Sequence, residues 1–75
     1  MDAELAPLAA LIADPSRAAM LDALMGGGSL TAGELARRAG VAASTATEHL
    51  TRLEAGGLVV SERRGRVRRV RLAGA

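Results

Sequence analysis

Apolar positions recur every three or four residues through the first 55 or so positions, and after residue 58 the period shortens to a β-like alternation crowded with arginine. In the first segment, residues 3–13, Leu5, Leu8, Ala9 and Ile12 fall at helical spacing, with Leu11 beside Leu8. Proline is tolerated only in the first turn of a helix, so Pro7 predicts a start near Leu5 or Ala6. Asp14-Pro15 is a start signal, with an aspartate as N-cap and a proline at the first helical position. The second helix is expected from about Pro15 to Met25, with Ala18, Leu21, Leu24 and Met25 facing inward, and Gly26-Gly27-Gly28 ends it. Thr31-Ala32-Gly33-Glu34 has the capping-box form and opens a short third helix over about Ala32–Ala39, closed by Gly40 in a left-handed turn. A fourth helix carries Ala46, Leu50 and Leu53 at i, i+4 and i+7 and ends at Gly56-Gly57. Its start is expected between Ala42 and Thr45, because Thr45-Ala46-Thr47-Glu48 is a second capping box while Ala42 is a poor cap.

The last segment reads as a β-hairpin. Leu58-Val59-Val60-Ser61 is a β-prone run, Arg63-Arg64-Gly65-Arg66 holds a turn glycine, and Val67 to Leu72 returns with Val70 and Leu72 on one face. Two short helices joined by a glycine-containing turn, the second with an exposed polar face, have the sequence form of a helix-turn-helix. Leu35 and Ala36 pack the first of them, Gly40 makes the turn, Val41 plugs beneath it, and Ala46 permits close approach of the second. The expected fold class is therefore mainly α with a β-hairpin: a three- to four-helix core plus a two-stranded wing. One domain fills residues 1–75, with the helix-turn-helix at about 31–56 and the hairpin at about 58–72.

Composition narrows the chemistry. The chain has 75 residues, 49% of them hydrophobic, and no Phe, Tyr or Trp. Aromatic platforms for stacking single-stranded bases, and aromatic cages for quaternary ammonium groups, are thus excluded. A domain this small buries only about 60–65% of the surface its unfolded chain exposes. With no cysteine to staple it, it must rely on well-patterned packing or on a second chain. Dimerisation is an expectation on that ground. No apolar run approaches the roughly 18 residues of a membrane span, and the acidic start lacks the positive flank of a signal peptide, so a soluble cytoplasmic protein is expected.

The net charge of +2 hides an asymmetry. Residues 1–60 carry a net −3, whereas residues 61–75 hold six arginines against Glu62, a net +5. All ten basic residues are arginine, whose planar fork suits bidentate contact with phosphates and base edges; a GC-rich genome would explain the arginine preference equally well, but not the clustering. On the fourth helix, inward positions 46, 50 and 53 leave Ser44, Thr45, Thr47, Glu48, Thr51 and Arg52 to solvent. Small hydroxyls near a helix N-terminus can bond phosphates and base edges, and the terminal amides favour anions. Read alone, these residues are equally well caps and solvated surface; followed by a basic hairpin, they read as a DNA-contacting face. Arg63, Arg64, Arg66, Arg68, Arg69 and Arg71 would form a wing along the DNA backbone, with Arg64 and Arg66, beside Gly65, placed best for a minor groove. Adjacent arginines point to opposite faces, so not all six serve one groove; the bland alternative is a charged, aggregation-blunting edge strand.

Taken together, Ala13-Asp14-Pro15-Ser16-Arg17, Leu30 to Ala36, Gly40-Val41, Ser44 to Leu50, Arg52-Leu53, Gly57-Leu58-Val59 and Arg63 to Arg66 resemble the arsenical-resistance-repressor (ArsR) family of bacterial winged helix-turn-helix regulators, over roughly residues 8–72. The resemblance implies a homodimeric repressor on a palindromic double-stranded DNA operator, with the Ser44–Arg52 helix in the major groove and the hairpin flanking it. By position, Ser44, Thr45, Thr47 and His49 fall on the recognition helix, and Ala43 replaces a frequently polar contact residue. Ala42 stands where a serine cap is usual. Glu48 stands where a neutral or basic group is common, and its carboxylate would repel phosphate unless it accepts from a cytosine amino group.

His49, on the border of the inward face, reads first as a partly buried packing or hydrogen-bonding residue, then as a DNA contact, and last as a metal ligand. Arg17 reads as a structural ion-pair partner of Asp14 or Asp22. Family metal sensors use thiolate or His-carboxylate clusters, and a chain with no Cys and one His offers no such donor set. No metal or other cofactor is expected, and no enzyme activity, because the sequence has no nucleophile–base pair and no phosphate-cradling glycine motif. Family members place a further helix after the wing. The chain is therefore expected to be a DNA-binding domain cut from a longer regulator that lacks the C-terminal dimerisation helix, with any effector site mostly elsewhere. The alternative is dimerisation through the Leu5/Leu8/Leu11/Ile12 helix alone. The competing functional reading is a winged-helix protein-interaction or dimerisation module without specific DNA binding; a weaker third is an arginine-rich RNA binder.

Overall fold

The computed structural model describes the backbone of residues 2–74 and the side chains of residues 7–74. Four helices, α1 (Asp2–Ala13), α2 (Pro15–Leu24), α3 (Ala32–Ala39) and α4 (Ala43–Ala55), and three strands, β1 (Leu30–Thr31), β2 (Val59–Arg64) and β3 (Val67–Leu72), follow in the order α1-α2-β1-α3-α4-β2-β3. The sheet is antiparallel in the order β1-β3-β2. The wing thus has a third strand that the sequence pattern did not show. Leu30 pairs with Val70 and Thr31 with Arg69, and two residues are too few to display a two-residue alternation.

Four of the helix boundaries have a clear local cause. Asp14 caps α2, its carboxylate accepting from the amides of Ser16 at 2.8 Å and Arg17 at 3.1 Å. At the head of α3 the capping box is complete: the Glu34 amide donates to Thr31 Oγ1 at 3.1 Å, and the Thr31 amide to Glu34 Oε1 at 2.8 Å. Helices α3 and α4 end in the same way. Gly40 (φ 69) and Gly57 (φ 79) adopt the left-handed conformation, and the next amide reaches back to a carbonyl five residues earlier, Val41 to Ala36 and Leu58 to Leu53, each at 3.0 Å. This is the Schellman arrangement, in which an apolar residue just past the turn packs on the helix it terminates. Val41 and Leu58 both pack against the core. Helix α4 begins with Ala42 as an N-cap that offers no side-chain bond; the alternative box at Thr45 is not used.

The core consists of Met20 and Leu24 from α2, Leu35 and Ala36 from α3, Ala46, Leu50 and Leu53 from α4, and Val59 and Val70 from the wing. Three expectations are corrected. Helix α1 starts at Asp2 rather than near Leu5 or Ala6, so Pro7 lies inside it; alanine, leucine and acidic residues in the leading turn favour helix strongly enough to absorb the one backbone bond that proline removes. On α2, Leu24 is buried and Leu21 packs against the core as expected, but Met20, outside the expected stripe, is fully buried, and Met25 does not face inward. Ala18 and Leu21 are half-buried, and Met25, at the end of the helix, is 73% exposed. Of the α1 stripe, Leu8 and Ile12 are exposed and Leu11 half-buried, while the Leu5 side chain lies outside the described residues.

Leu50, fully buried at the centre of α4, is a position where truncation should be costly. Leu50→Ala is expected to lose about 2–5 kcal/mol, a large part of the ~4–11 kcal/mol typical of a domain this size. Urea denaturation should register it as a sharply lowered midpoint, whereas Leu8→Ala, on the exposed face of α1, should shift the midpoint far less.

Candidate nucleic-acid interface

Helix α4 presents its polar residues as its apolar edge requires. With Ala46, Leu50 and Leu53 buried, Ser44, Thr47, Glu48, Thr51 and Arg52 are exposed, while Thr45 and His49 lie half-buried at the margins. The hydroxyl of Thr47 donates to the Ala43 carbonyl at 3.0 Å and that of Thr51 to the Thr47 carbonyl at 2.9 Å. In this rotamer each threonine turns its proton to its own helix and leaves oxygen lone pairs free as acceptors. Glu48 is a further acceptor on the same exposed face.

The hairpin sorts its arginines by strand alternation. Arg63 stands opposite Arg68, Glu62 opposite Arg69, Val60 opposite Arg71, and Arg64 opposite Val67. Facing residues of an antiparallel pair share a side of the sheet, so Arg63 and Arg68 join Val59, Val70 and Leu72 on the side that packs on the helices, while Arg64, Arg69 and Arg71 lie on the outer side. Arg66 sits in the turn. Two arginines directly opposite one another would repel, and Glu54 of α4 relieves this pair: Arg68 donates to Glu54 Oε1 at 2.9 Å and to Ser61 Oγ at 3.1 Å. Arg68 therefore ties the wing to α4. Arg69 is likewise held, donating to Ser29 Oγ at 3.0 Å. Among the described residues, no side-chain hydrogen bond or ion pair engages Arg63, Arg64 or Arg66.

These elements enclose a groove of about 380 Å³ lined by Thr31, Ala32 and Gly33 at the head of α3, Thr47 of α4, and Arg63, Arg66, Val67 and Arg68 of the wing. The structure brings Thr47, Arg63, Arg66 and Arg68 together and places Arg64 on the opposite face of the sheet, apart from this groove. It also adds the first residues of α3, whose signal was the Thr31–Glu34 capping box. Their backbone stands where a helix N-terminus favours an anion.

His49 and Arg17 turn out to be partners. The Arg17 guanidinium bonds neither Asp14, which takes only the backbone amide of Arg17, nor Asp22; it donates through Nε to the Leu11 carbonyl at 2.8 Å, through Nη2 to the Ala10 carbonyl at 3.4 Å, and through Nη1 to His49 Nδ1 at 3.1 Å. The last turn of α1 leaves carbonyls without helical partners, and a guanidinium satisfies two of them at once. His49 Nε2 lies 3.9 Å from Asp14 Oδ1. Among the described residues, no group of three or more His, Cys, Asp or Glu side chains could hold a metal ion, and no helix is long and apolar enough to cross a membrane.

A helix-turn-helix flanked by an antiparallel hairpin defines the winged helix-turn-helix class. A family model described as a helix-turn-helix domain matches residues 12–62. The chain is 41% identical over 73 residues to the HTH-type transcriptional regulator YdfF of Bacillus subtilis, covering 97% of this chain and 32% of that protein. It is similar to the crystal structure of an ArsR-family transcriptional regulator (30% identity, TM-score 0.84, 96% of this chain and 73% of that one). It is similar also to the homodimeric winged helix-turn-helix DNA-binding domain of Mb0332 from Mycobacterium bovis (31% identity, TM-score 0.82, 95% and 65%). The chain belongs to the ArsR family of winged helix-turn-helix transcriptional regulators, and it spans about a third of the length of its Bacillus relative.

The two capping carboxylates make stability pH-dependent. The Arg17 amide foremost, then that of Ser16, holds Asp14 below the usual carboxylate range, and the Thr31 amide and hydroxyl do the same for Glu34. A carboxylate depressed in the folded state stabilises it fully above its unfolded pKa of about 4 and loses that contribution as pH falls through the lower folded value. The melting temperature is therefore expected to fall below about pH 4.5. In thermal melts between pH 6 and 3, Asp14→Asn with Glu34→Gln should flatten that dependence while lowering the plateau.

Proposed function

We propose that this domain binds double-stranded DNA sequence-specifically as part of a bacterial transcription regulator, acting as a repressor by occupying its operator. The observation that carries this reading is the groove in which the exposed Thr47 of α4, the head of α3 and the wing residues Arg63, Arg66 and Arg68 converge. Phosphate contacts fix register and supply salt-dependent affinity, while base contacts specify sequence. Helix α4 lies in the major groove in this reading. Thr47 and Glu48 offer acceptors to the amino groups of cytosine or adenine, and the threonine methyl can pack on thymine. Arg63 and Arg66 take phosphates beside it, and Arg64, on the far side of the hairpin, reaches backbone only from the wing tip.

Two copies related by a two-fold axis would read a palindrome. Helix α1 supports pairing, because its Leu8 (37% exposed) and Ile12 (47% exposed) contribute nothing to the core of one chain, and the M. bovis relative is a homodimer. The cytoplasm is the compartment this function requires. No catalytic role is assigned to any residue.

Selection from a random duplex library is expected to enrich an inverted repeat with half-sites about one helical turn apart. Arg63→Ala with Arg66→Ala should weaken binding to every sequence and reduce the slope of log K against log salt by about one for each phosphate left without its arginine. Thr47→Val, which keeps the shape and removes the oxygen, should instead change the preferred base at one position per half-site. Failure of any duplex to rise above the nonspecific background would leave a protein-interaction module as the surviving function.

A further inference from the structure

The geometry points to Arg17 and His49 as a positioning pair: through a hydrogen bond that exists only while the imidazole is neutral, they fix the rotation of recognition helix α4, and so make DNA binding sensitive to pH. The inference rests on the DNA-binding reading above. A guanidinium carries donors and no acceptor, so the His49 Nδ1 that faces Arg17 Nη1 at 3.1 Å must offer its lone pair, and the ring proton resides on Nε2. The same guanidinium grips the carbonyls of Ala10 and Leu11. One side chain from α2 thus ties the last turn of α1 to the middle of α4, between residues 32 positions apart.

This tie supplies what the core lacks. Ala46, Leu50 and Leu53 hold α4 through apolar contacts, which are non-directional and resist rotation about the helix axis weakly where the facing side chains are small aliphatics. A hydrogen bond is directional, and His49 lies two residues from Thr47 on the same helix. At 15% exposure its side chain is too withdrawn to serve as a base contact, and it acts instead through the orientation of its neighbours.

Among the described residues, the charged groups in contact with the ring are Arg17 and Asp14, both at the start of α2. Among its described residues, helix α1 contributes neutral carbonyls to the cluster, and on α4 the neighbouring charges, Glu48 and Arg52, are exposed. A proton added at Nδ1 replaces the acceptor with a donor facing a cation, and the bond to Arg17 breaks. The imidazolium is then drawn through Nε2 towards Asp14 Oδ1, now 3.9 Å away. Affinity for the specific duplex should accordingly fall as the ring is protonated, opposite in sign to the general gain that added positive charge gives on DNA.

Long-range proton–nitrogen NMR of the full chain tests the contact without DNA. At neutral pH the Nδ1 resonance of His49 should be that of an unprotonated, hydrogen-bonded nitrogen, and Arg17→Met should move it; a proton found on Nδ1, or no response to Arg17→Met, overturns the pairing. The functional arm measures fluorescence anisotropy on the duplex enriched by selection, at fixed ionic strength. Across a pH series, wild type should bind about tenfold more weakly once the NMR shows the imidazole protonated than at pH 7.5, the scale of a single charged hydrogen bond. Arg17→Met and His49→Leu should show the weak affinity already at pH 7.5. His49→Asn, whose side-chain oxygen replaces Nδ1 as acceptor and takes no proton, should rescue most of the binding and lose the pH step. Circular dichroism confirms that each variant is folded. If His49→Asn keeps the wild-type pH profile, or His49→Leu binds as wild type at pH 7.5, the positioning role is refuted. If wild type selects no duplex, the DNA-binding reading fails, and the NMR result decides the pairing on its own.

Discussion

The arrangement depends first on how α4 is seated. Its buried edge, Ala46, Leu50 and Leu53, has no exposed surface, and the absence of aromatic side chains means that contact is made by close approach rather than by large rings. An alanine at position 46 sets the distance. Once that edge is buried, 3.6-residue periodicity leaves Ser44, Thr47, Glu48, Thr51 and Arg52 outside. The two Schellman turns then determine where the chain enters and leaves, placing α3 ahead of α4 and delivering Leu58 into the wing. One packing choice therefore positions the polar helix face, the head of α3 and the arginine hairpin around a single groove.

Legibility followed the strength of the local signal. The capping residues Asp14 and Thr31 and the terminating Gly40 and Gly57 could be read in the sequence because each satisfies helix-end groups through chemistry available to few residue types. On α2 the sequence reading finds Leu21 and Leu24 but takes Met25 for Met20, because Pro15 to Met25 offers two overlapping apolar faces and the choice between them is made by the packing partners rather than by α2 itself. Strand β1 was hidden for a related reason: it exists through its pairing with β3 and has no pattern of its own. At the site, the exposed residues of α4 followed from periodicity. The partners of Arg17, Arg68 and Arg69 did not, because each lies across a tertiary contact.

Those partners change the meaning of the charge asymmetry. The six arginines of residues 61–75 look in sequence like one block, yet the hairpin uses them in distinct ways. Arg68 is neutralised by Glu54 and bound to Ser61; Arg69 faces Glu62 across the sheet and holds Ser29. The held pair stiffens the wing against α4 and the α2–α3 connection. Arg63 and Arg66, without such partners among the described residues, line the groove. A flexible hairpin would have to be ordered at the moment of binding, at an entropic cost, and the bonds of Arg68 and Arg69 reduce that cost by holding the wing in place.

The division of labour extends to α4 itself. Its exposed hydroxyls can discriminate bases only if the helix does not rotate, because a bidentate or acceptor contact tolerates little displacement. Small aliphatic side chains fill the core well but provide few directional constraints, and a domain of this size has little else to add. The Arg17–His49 bond supplies one such constraint from the opposite side of the helix, anchored on the free carbonyls of α1. His49, which the sequence reads first as a partly buried hydrogen-bonding residue, lies behind the exposed face of the helix. The polar groups that stabilise the ends of α1 and α2, through Arg17 and Asp14, are the same groups that set the angle at which α4 meets its target.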